Sequence, residues 1–229
     1  MHQPPTDDEL FALALEVFRN PPLSYYDWVD EMLAQRRFDA RPLDNQARPF
    51  PARTMPTVEA ADEPVRIVRA DPDWPRRFEE ERALLEATIG EWAVGGIHHV
   101  GSTAVPSLDA KPIIDILVGV PDLDISRECF EPLAKLDYLY APYRTSEMHW
   151  FCKPHPSRRT HHLHLVPVGS DRYRDELAFR DYLRSHPQSA SEYAALKREL
   201  AMRFAQDREA YTEAKSDFVR ATLAKALPA

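Results

Sequence analysis

The chain has 229 residues and a formal charge of −8, and it holds no apolar run near the length that crosses a bilayer. Its apolar content of 44% with 29% charged residues suffices for a packed core and excludes wholesale disorder. The acidic excess is concentrated in residues 1–63, while all six lysines lie beyond them, so composition gives no support for a duplex-binding face but allows a local basic pocket. The first residues, Met1-His2-Gln3-Pro4-Pro5, lack the basic-then-apolar pattern of a secretion signal, and the expectation is a cytoplasmic protein with no membrane partner. Cys129 and Cys152 form no C-x-x-C pattern, which excludes a disulfide framework or zinc ribbon; both read as small buried hydrophobes in a reducing compartment.

Thr6-x-x-Glu9 has capping-box spacing, and Leu10, Phe11, Ala14, Val17 and Phe18 follow at helical intervals until Asn20-Pro21-Pro22. Ser24-x-x-Asp27 opens a second helix, with Tyr25, Trp28, Val29, Met32 and Leu33 on one stripe. Residues 1–37 thus read as a helical hairpin that needs the body, a partner or another copy to cover it. Residues 38–63, with four prolines and no sustained period, read as an extended linker.

From residue 64 the pattern changes. Val65–Val68 reads as a short strand, and Asp73-Trp74-Pro75 starts a helix through Phe78, Leu84, Leu85, Thr88 and Ile89 to Gly90. Strands are expected at 97–100, 112–118, 149–152 and 161–166, with a helix over 123–136. From Arg172 to Ala226 nearly everything is helical, broken near Ser185-His186-Pro187. Phe179, Leu183, Phe204 and Phe218 belong to the core, and Trp74, Trp92 and Trp150 pack. The fold class is α+β: a mixed sheet in a body over 64–170, a helical carboxy-terminal cap over 171–229 and the additional amino-terminal hairpin.

The first chemical constellation is Gly101-Ser102 followed by Asp115 on a hydrophobic strand. A glycine turn lets backbone N–H groups and a Ser hydroxyl approach phosphate oxygens, and a carboxylate on the next strand can hold a divalent metal against them. The run His98-His99-Val100-Gly101-Ser102-Thr103-Ala104-Val105-Pro106, continuing through Lys111-Pro112-Ile113-Ile114-Asp115, closely resembles the signature of the GrpB family. Asp71-x-Asp73-Trp74-Pro75, Arg159-Thr160-His161-His162-Leu163-His164, Phe179-Arg180-Asp181-Tyr182-Leu183-Arg184, Tyr193-x-x-x-Lys197 and Tyr211-x-x-x-Lys215-x-x-Phe218 extend the resemblance over about 64–226. That family resembles a branch of the DNA polymerase beta-like nucleotidyltransferase superfamily. The resemblance implies a nucleotidyltransferase-like sheet on which the Gly-Ser turn cradles a nucleoside triphosphate and carboxylates hold two divalent ions.

The sequence departs from the superfamily at one place. Its carboxylate strand reads Asp115-Ile116-Leu117, so Leu117 occupies the same-face position where a second ligand belongs. His162 and His164 also share a face. If their strand neighbours that of Asp115, the set becomes two imidazoles and a carboxylate, which suits Mn²⁺, Zn²⁺ or Fe²⁺ better than the Mg²⁺ of the superfamily, or one His serves as a general base. Lys111 precedes the Asp115 strand, and Arg159 leads into the histidine strand. In the cap, Tyr193 with Lys197 and Tyr211 with Lys215 repeat an i,i+4 spacing. Folded over the sheet, these lysines and Arg180 suit a di- or triphosphate.

Three functions follow as expectations. The first is metal-dependent transfer of a nucleotidyl group to a small acceptor, with Asp115, His162 and His164 as catalytic and metal-holding residues. The second is a degenerate module that binds a nucleotide or phosphorylated ligand, for which fusions of family relatives to dephospho-coenzyme A kinase suggest a phosphopantetheine-type ligand. The third is a mononuclear two-His-one-carboxylate enzyme.

Overall fold

A computed structural model describes residues 64–155 and 157–227, all within the second of the two units, 1–60 and 61–229, into which the chain divides. The hairpin expected over 1–37 and the linker over 38–63 lie outside the described residues.

Helix α1 spans Trp74–Ile89, starts with Pro75 in its first turn, and is anchored by Asp73, whose carboxylate pairs with Arg76 at 2.6 Å. It buries Trp74, Phe78, Glu81, Leu85 and Ile89, a stripe at spacings of three and four. The stripe differs from the expected one. Leu84 is 48% exposed, and Glu81 takes the inward position, where the Lys153 ammonium donates to both its carboxylate oxygens at 2.9 and 3.0 Å.

Five strands follow: β1 Ile97–Val100, β2 Ile114–Val120, β3 Leu139–Tyr140, β4 His149–His155 and β5 Arg158–Pro167. The sheet order is β1-β2-β5-β4-β3, with β2 and β5 parallel and every other pair antiparallel. One face carries Ile114, Ile116, Val118, Val120, Phe151, Leu163 and Leu165 into a core with Trp74, Phe78, Leu85 and Ile89. The intervening residues of β2 and β5 turn to the opposite face. There the cap packs: α3 Asp171–Ser185 lies against β1 and β5, followed by α4 Pro187–Arg203, α5 Arg208–Glu213 and α6 Ser216–Ala226. Within it Leu183, Ala190, Tyr193 and Ala194 form a second core with Val105 and Leu108. To keep chain order, α2 denotes the short helix Phe130–Ala134 between β2 and β3.

Two expected elements take another form. Val65–Val68 is no strand: Val65 N–H bonds the Ala205 carbonyl, and Val68 makes a single bridge to Ala110. The helix expected over 123–136 is a 3₁₀ turn, Ile125–Cys129, running into α2, because Pro132 has no N–H to close an α-turn on Glu128. The cap breaks at His186, as expected, and again near Phe204, where the Asp207 carboxylate caps α5 by accepting from Ala210 N–H at 2.9 Å. No helix among the described residues is long and apolar enough to cross a membrane.

Candidate functional site

The parallel register of β2 and β5 sets Asp115 beside His162 and Leu117 beside His164, all on the cap-facing side. His162 Nδ1 lies 2.9 Å from Asp115 Oδ1. Burial opposes the Asp115 charge, but the hydrogen bond from His162 and the surrounding imidazoles prevail and hold the carboxyl below its ordinary range. Facing an ionised acceptor, Nδ1 carries the proton and Nε2 is left with a lone pair. That Nε2 is buried without a hydrogen-bond partner. Burial pushes the imidazole down to about 4, with Asp115 only partly opposing, so His162 is a neutral base near pH 7. Trp150 of β4 packs on the ring at 4.9 Å between centroids. The Asp115 side chain retains 28% exposure.

Gly101 closes over that carboxylate from the turn after β1. Its φ is +66°, and a Cβ there would stand 2.3 Å from Asp115 Oδ2 and 2.9 Å from Cγ, so a side chain and this approach exclude each other. Ser102 opens a single 3₁₀ turn, Ser102–Ala104, on the Tyr193 side of the carboxylate. His164 is engaged elsewhere: its Nδ1 lies 3.2 Å from Glu176 on α3, and Glu176 also pairs with Arg172 at 3.0 Å.

Cations gather around Asp115. Lys111 Nζ sits 4.3 Å and Lys215 Nζ 4.5 Å from the centroid of the same buried Tyr211 ring. Lys197 on α4 is 2% exposed; its Nζ donates to the Asp109 carbonyl at 2.5 Å and lies 4.8 Å from the Tyr193 ring. Burial, and then repulsion from Lys215, push the Lys111 and Lys197 ammoniums down to about 7. Burial takes Lys215 down to about 8. Asp115 opposes the shift at all three. Arg159 lies 5.4 Å from the Trp150 ring and adds positive charge near Lys111 and His162.

Arg180 is not among them. Its guanidinium donates to the His99 carbonyl on the outer edge of β1 at 3.1 Å and pairs with Asp181. It lines a separate groove of about 430 Å³ with Phe78, His98, His99 and Arg184.

The GrpB protein family profile matches residues 64–225, which takes in the whole sheet and nearly all of the cap. The chain belongs to the GrpB family. Among its GrpB-type relatives, a UPF0157 protein of Pseudomonas aeruginosa is 42% identical over 175 residues, covering 74% of this chain and 71% of that one. The glutamate-rich protein GrpB of Alkalihalophilus pseudofirmus is 38% identical over 158 residues, 67% of this chain and 90% of that one. The crystal structure of the conserved protein GrpB from Enterococcus faecalis superposes with a TM-score of 0.65 at 32% identity, covering 71% of this chain and 97% of that chain.

On this GrpB fold, the residues singled out from the sequence fall into two groups. Gly101, Ser102, Lys111, Asp115, Arg159, His162, Lys197, Tyr211 and Lys215 surround one cap-side site; Arg180 and His164 take other partners. The donor set does not fit a two-metal centre. Leu117 is fully buried in the second ligand position, Gly101 crowds Asp115 Oδ2, and His162 occupies Oδ1. Among the described residues no three His, Cys, Asp or Glu side chains gather as a metal-holding group, and the set Asp115, His162 and His164 is divided between two carboxylates. Glu176 escaped the sequence reading. Its only local signal is the i,i+4 stripe Arg172-Glu176-Arg180, which places it on one face of α3 without naming the sheet residue below.

Proposed function

We propose that this GrpB protein binds a phosphorylated small molecule of the nucleotide class on the cap-side lysines. One observation carries the reading: Lys111, Lys197 and Lys215 converge from three separated stretches near the half-buried Asp115, with Asp109 as a further counter-charge beside Lys197. Packing like charges together under a cap is unfavourable for folding alone, and such arrangements mark places where an anion completes the structure. Tyr211 and Tyr193 keep the ammoniums in place through their ring faces while leaving N–H donors for phosphate oxygens. Calorimetric titration of the full chain with inorganic phosphate, pyrophosphate, the four ribonucleoside triphosphates and dephospho-coenzyme A tests it. The expected result is binding that weakens with salt and drops about tenfold in Lys215→Met, the scale of a charged hydrogen bond. Absence of binding by every one of these ligands overturns the reading.

The unpartnered Nε2 of His162 favours a second reading, transfer of the bound group. Asp115 fixes the tautomer and orients the ring, and the neutral imidazole is placed to accept a proton from an acceptor hydroxyl in nucleotidyl transfer. Pyrophosphate release from a nucleoside triphosphate that disappears in His162→Gln supports transfer; binding without release in a broad acceptor screen leaves the protein a binding module.

A further inference from the structure

We propose that Lys111 is a reactive amine, and that it takes an acyl group from an acyl phosphate, a mixed anhydride whose phosphate is held by the lysine beside it. The direction of the reagent to Lys111 rests on the phosphate-ligand reading above; the reactivity of the amine does not.

All six lysines of the chain lie among the described residues, so their surroundings can be compared one by one. Lys153 donates to both oxygens of Glu81 at 2.9 and 3.0 Å. Lys135 is solvated, its side chain 72% exposed and paired with Glu131 at 3.1 Å, and Lys225 is exposed in the last turn of α6. A carboxylate partner or full hydration favours the ammonium, which has no lone pair for attack. Lys197 is pushed down to about 7, but it is 2% exposed and donates to the Asp109 carbonyl, out of a reagent's reach. Lys111 and Lys215 differ from these four. Both are half-buried, both stand over the Tyr211 ring, and among the described residues neither has a carboxylate within ion-pairing distance.

The groups around Lys111 divide the two roles. Burial is the largest influence on its ammonium. Lys215 just before α6, Arg208 on α5 and Arg159 on β5 add repulsion, and Asp115 on β2 opposes them. The outcome is an amine at about 7 beside a Lys215 at about 8. At about pH 7.5 Lys111 carries a lone pair in most molecules, whereas an ordinary lysine does so in about one molecule in a thousand. Lys215 is then mostly charged. Acyl transfer from a phosphate requires that pairing: one amine free to attack, and a charged neighbour to hold the phosphate and stabilise it as it leaves. Lys111 Nζ attacks the carbonyl carbon and forms the C–N bond. The C–O bond to phosphate breaks with its electron pair, and the proton released by nitrogen passes to water. The amide that remains no longer titrates, so acylation fixes this position uncharged at every pH.

The test treats the full chain at about pH 7.5 with acetyl phosphate, and separately with acetic anhydride as an acyl donor without phosphate, and follows each lysine over time by peptide mass spectrometry. Acetyl phosphate is expected to acetylate Lys111 first, at least about tenfold faster than Lys135 or Lys225, and pyrophosphate to slow that reaction. The Lys111 rate is expected to level off above about pH 8, where an ordinary lysine's goes on climbing toward about 10.4. Lys111→Arg is expected to lose the fast site and leave the slower ones as they were. Acetylation of Lys135 or Lys225 ahead of Lys111 by both reagents overturns the reactive amine, even where calorimetry shows pyrophosphate bound and the phosphate-ligand reading stands. Lys111 acetylated first by the anhydride, but neither favoured by acetyl phosphate nor protected by pyrophosphate, overturns the direction by phosphate and leaves the amine. Preferential acetylation of Lys215 or Lys197 overturns the choice of Lys111.

Discussion

Gly101 and Asp115 act as a single unit. The turn residue is held at positive φ, and its missing Cβ is the space that the carboxylate fills. Gly101→Ala meets two penalties together, a strained backbone and a contact with Asp115 Oδ2, Cβ and Cγ that no rotation of the side chain removes. A loss of about 2–3 kcal/mol in urea unfolding is expected, with weakened anion binding as Asp115 and then His162 shift. A variant as stable as the native chain would show that the close approach is not structural. At this scale the sequence was informative where the reasoning needed only strand alternation. Asp115, Leu117, His162 and His164 declare a shared face by spacing of two. Arg180 and Glu176 did not declare their partners, because a helical side chain's target depends on how α3 crosses the sheet, and no local spacing encodes that crossing.

Among the elements, α1 shows how one inward charge resets a stripe. Its seam runs through Trp74, Phe78, Glu81, Leu85 and Ile89, so the helix is rotated away from Leu84 toward the Lys153 ammonium on β4. Lys153→Met removes the close partner of the Glu81 carboxylate, which is only 7% exposed, and leaves it His161 at 3.9 Å; the expected cost is about 3 kcal/mol. Replacing both, Glu81→Leu with Lys153→Met, is expected to recover most of that loss. Chemical denaturation of the single and double variants measures the coupling, and additive losses would mean that the pair acts through other neighbours. Helix α1 itself was legible from Asp73-Trp74-Pro75 and Gly90, because caps and proline act locally. The sheet order was not. Placing β5 between β2 and β4 depends on a parallel crossover of many residues, and β3 has only two residues, too short for any periodic signal.

For the molecule as a whole, the lysine cluster sets a pH signature. Lys111, Lys197 and Lys215 titrate at about 7 to 8 when folded against an ordinary 10.5, so between those values the unfolded chain holds more protons and stability rises with pH. Below about 7 both states are protonated and the penalty is complete; near 10 the buried Tyr193 and Tyr211, whose ionisation burial pushes up, reverse the slope because unfolded tyrosines ionise first. His99 and His162, both pushed down to about 4 chiefly by burial, add a second rise from about 4 to an ordinary 6.5. Thermal melts of the ligand-free chain in low-salt, phosphate-free buffer are expected to climb from pH 7 toward 10, and pyrophosphate to raise Tm most at the lower end. A flat profile over that interval would remove the repulsion from the account. The outer border of the sheet carries a consequence for assembly. By donating to the carbonyl of His99 on the side of β1 away from β2, Arg180 already occupies a hydrogen-bonding position that an added strand would claim, so a neighbouring chain lengthening the sheet at β1 would first have to displace a guanidinium.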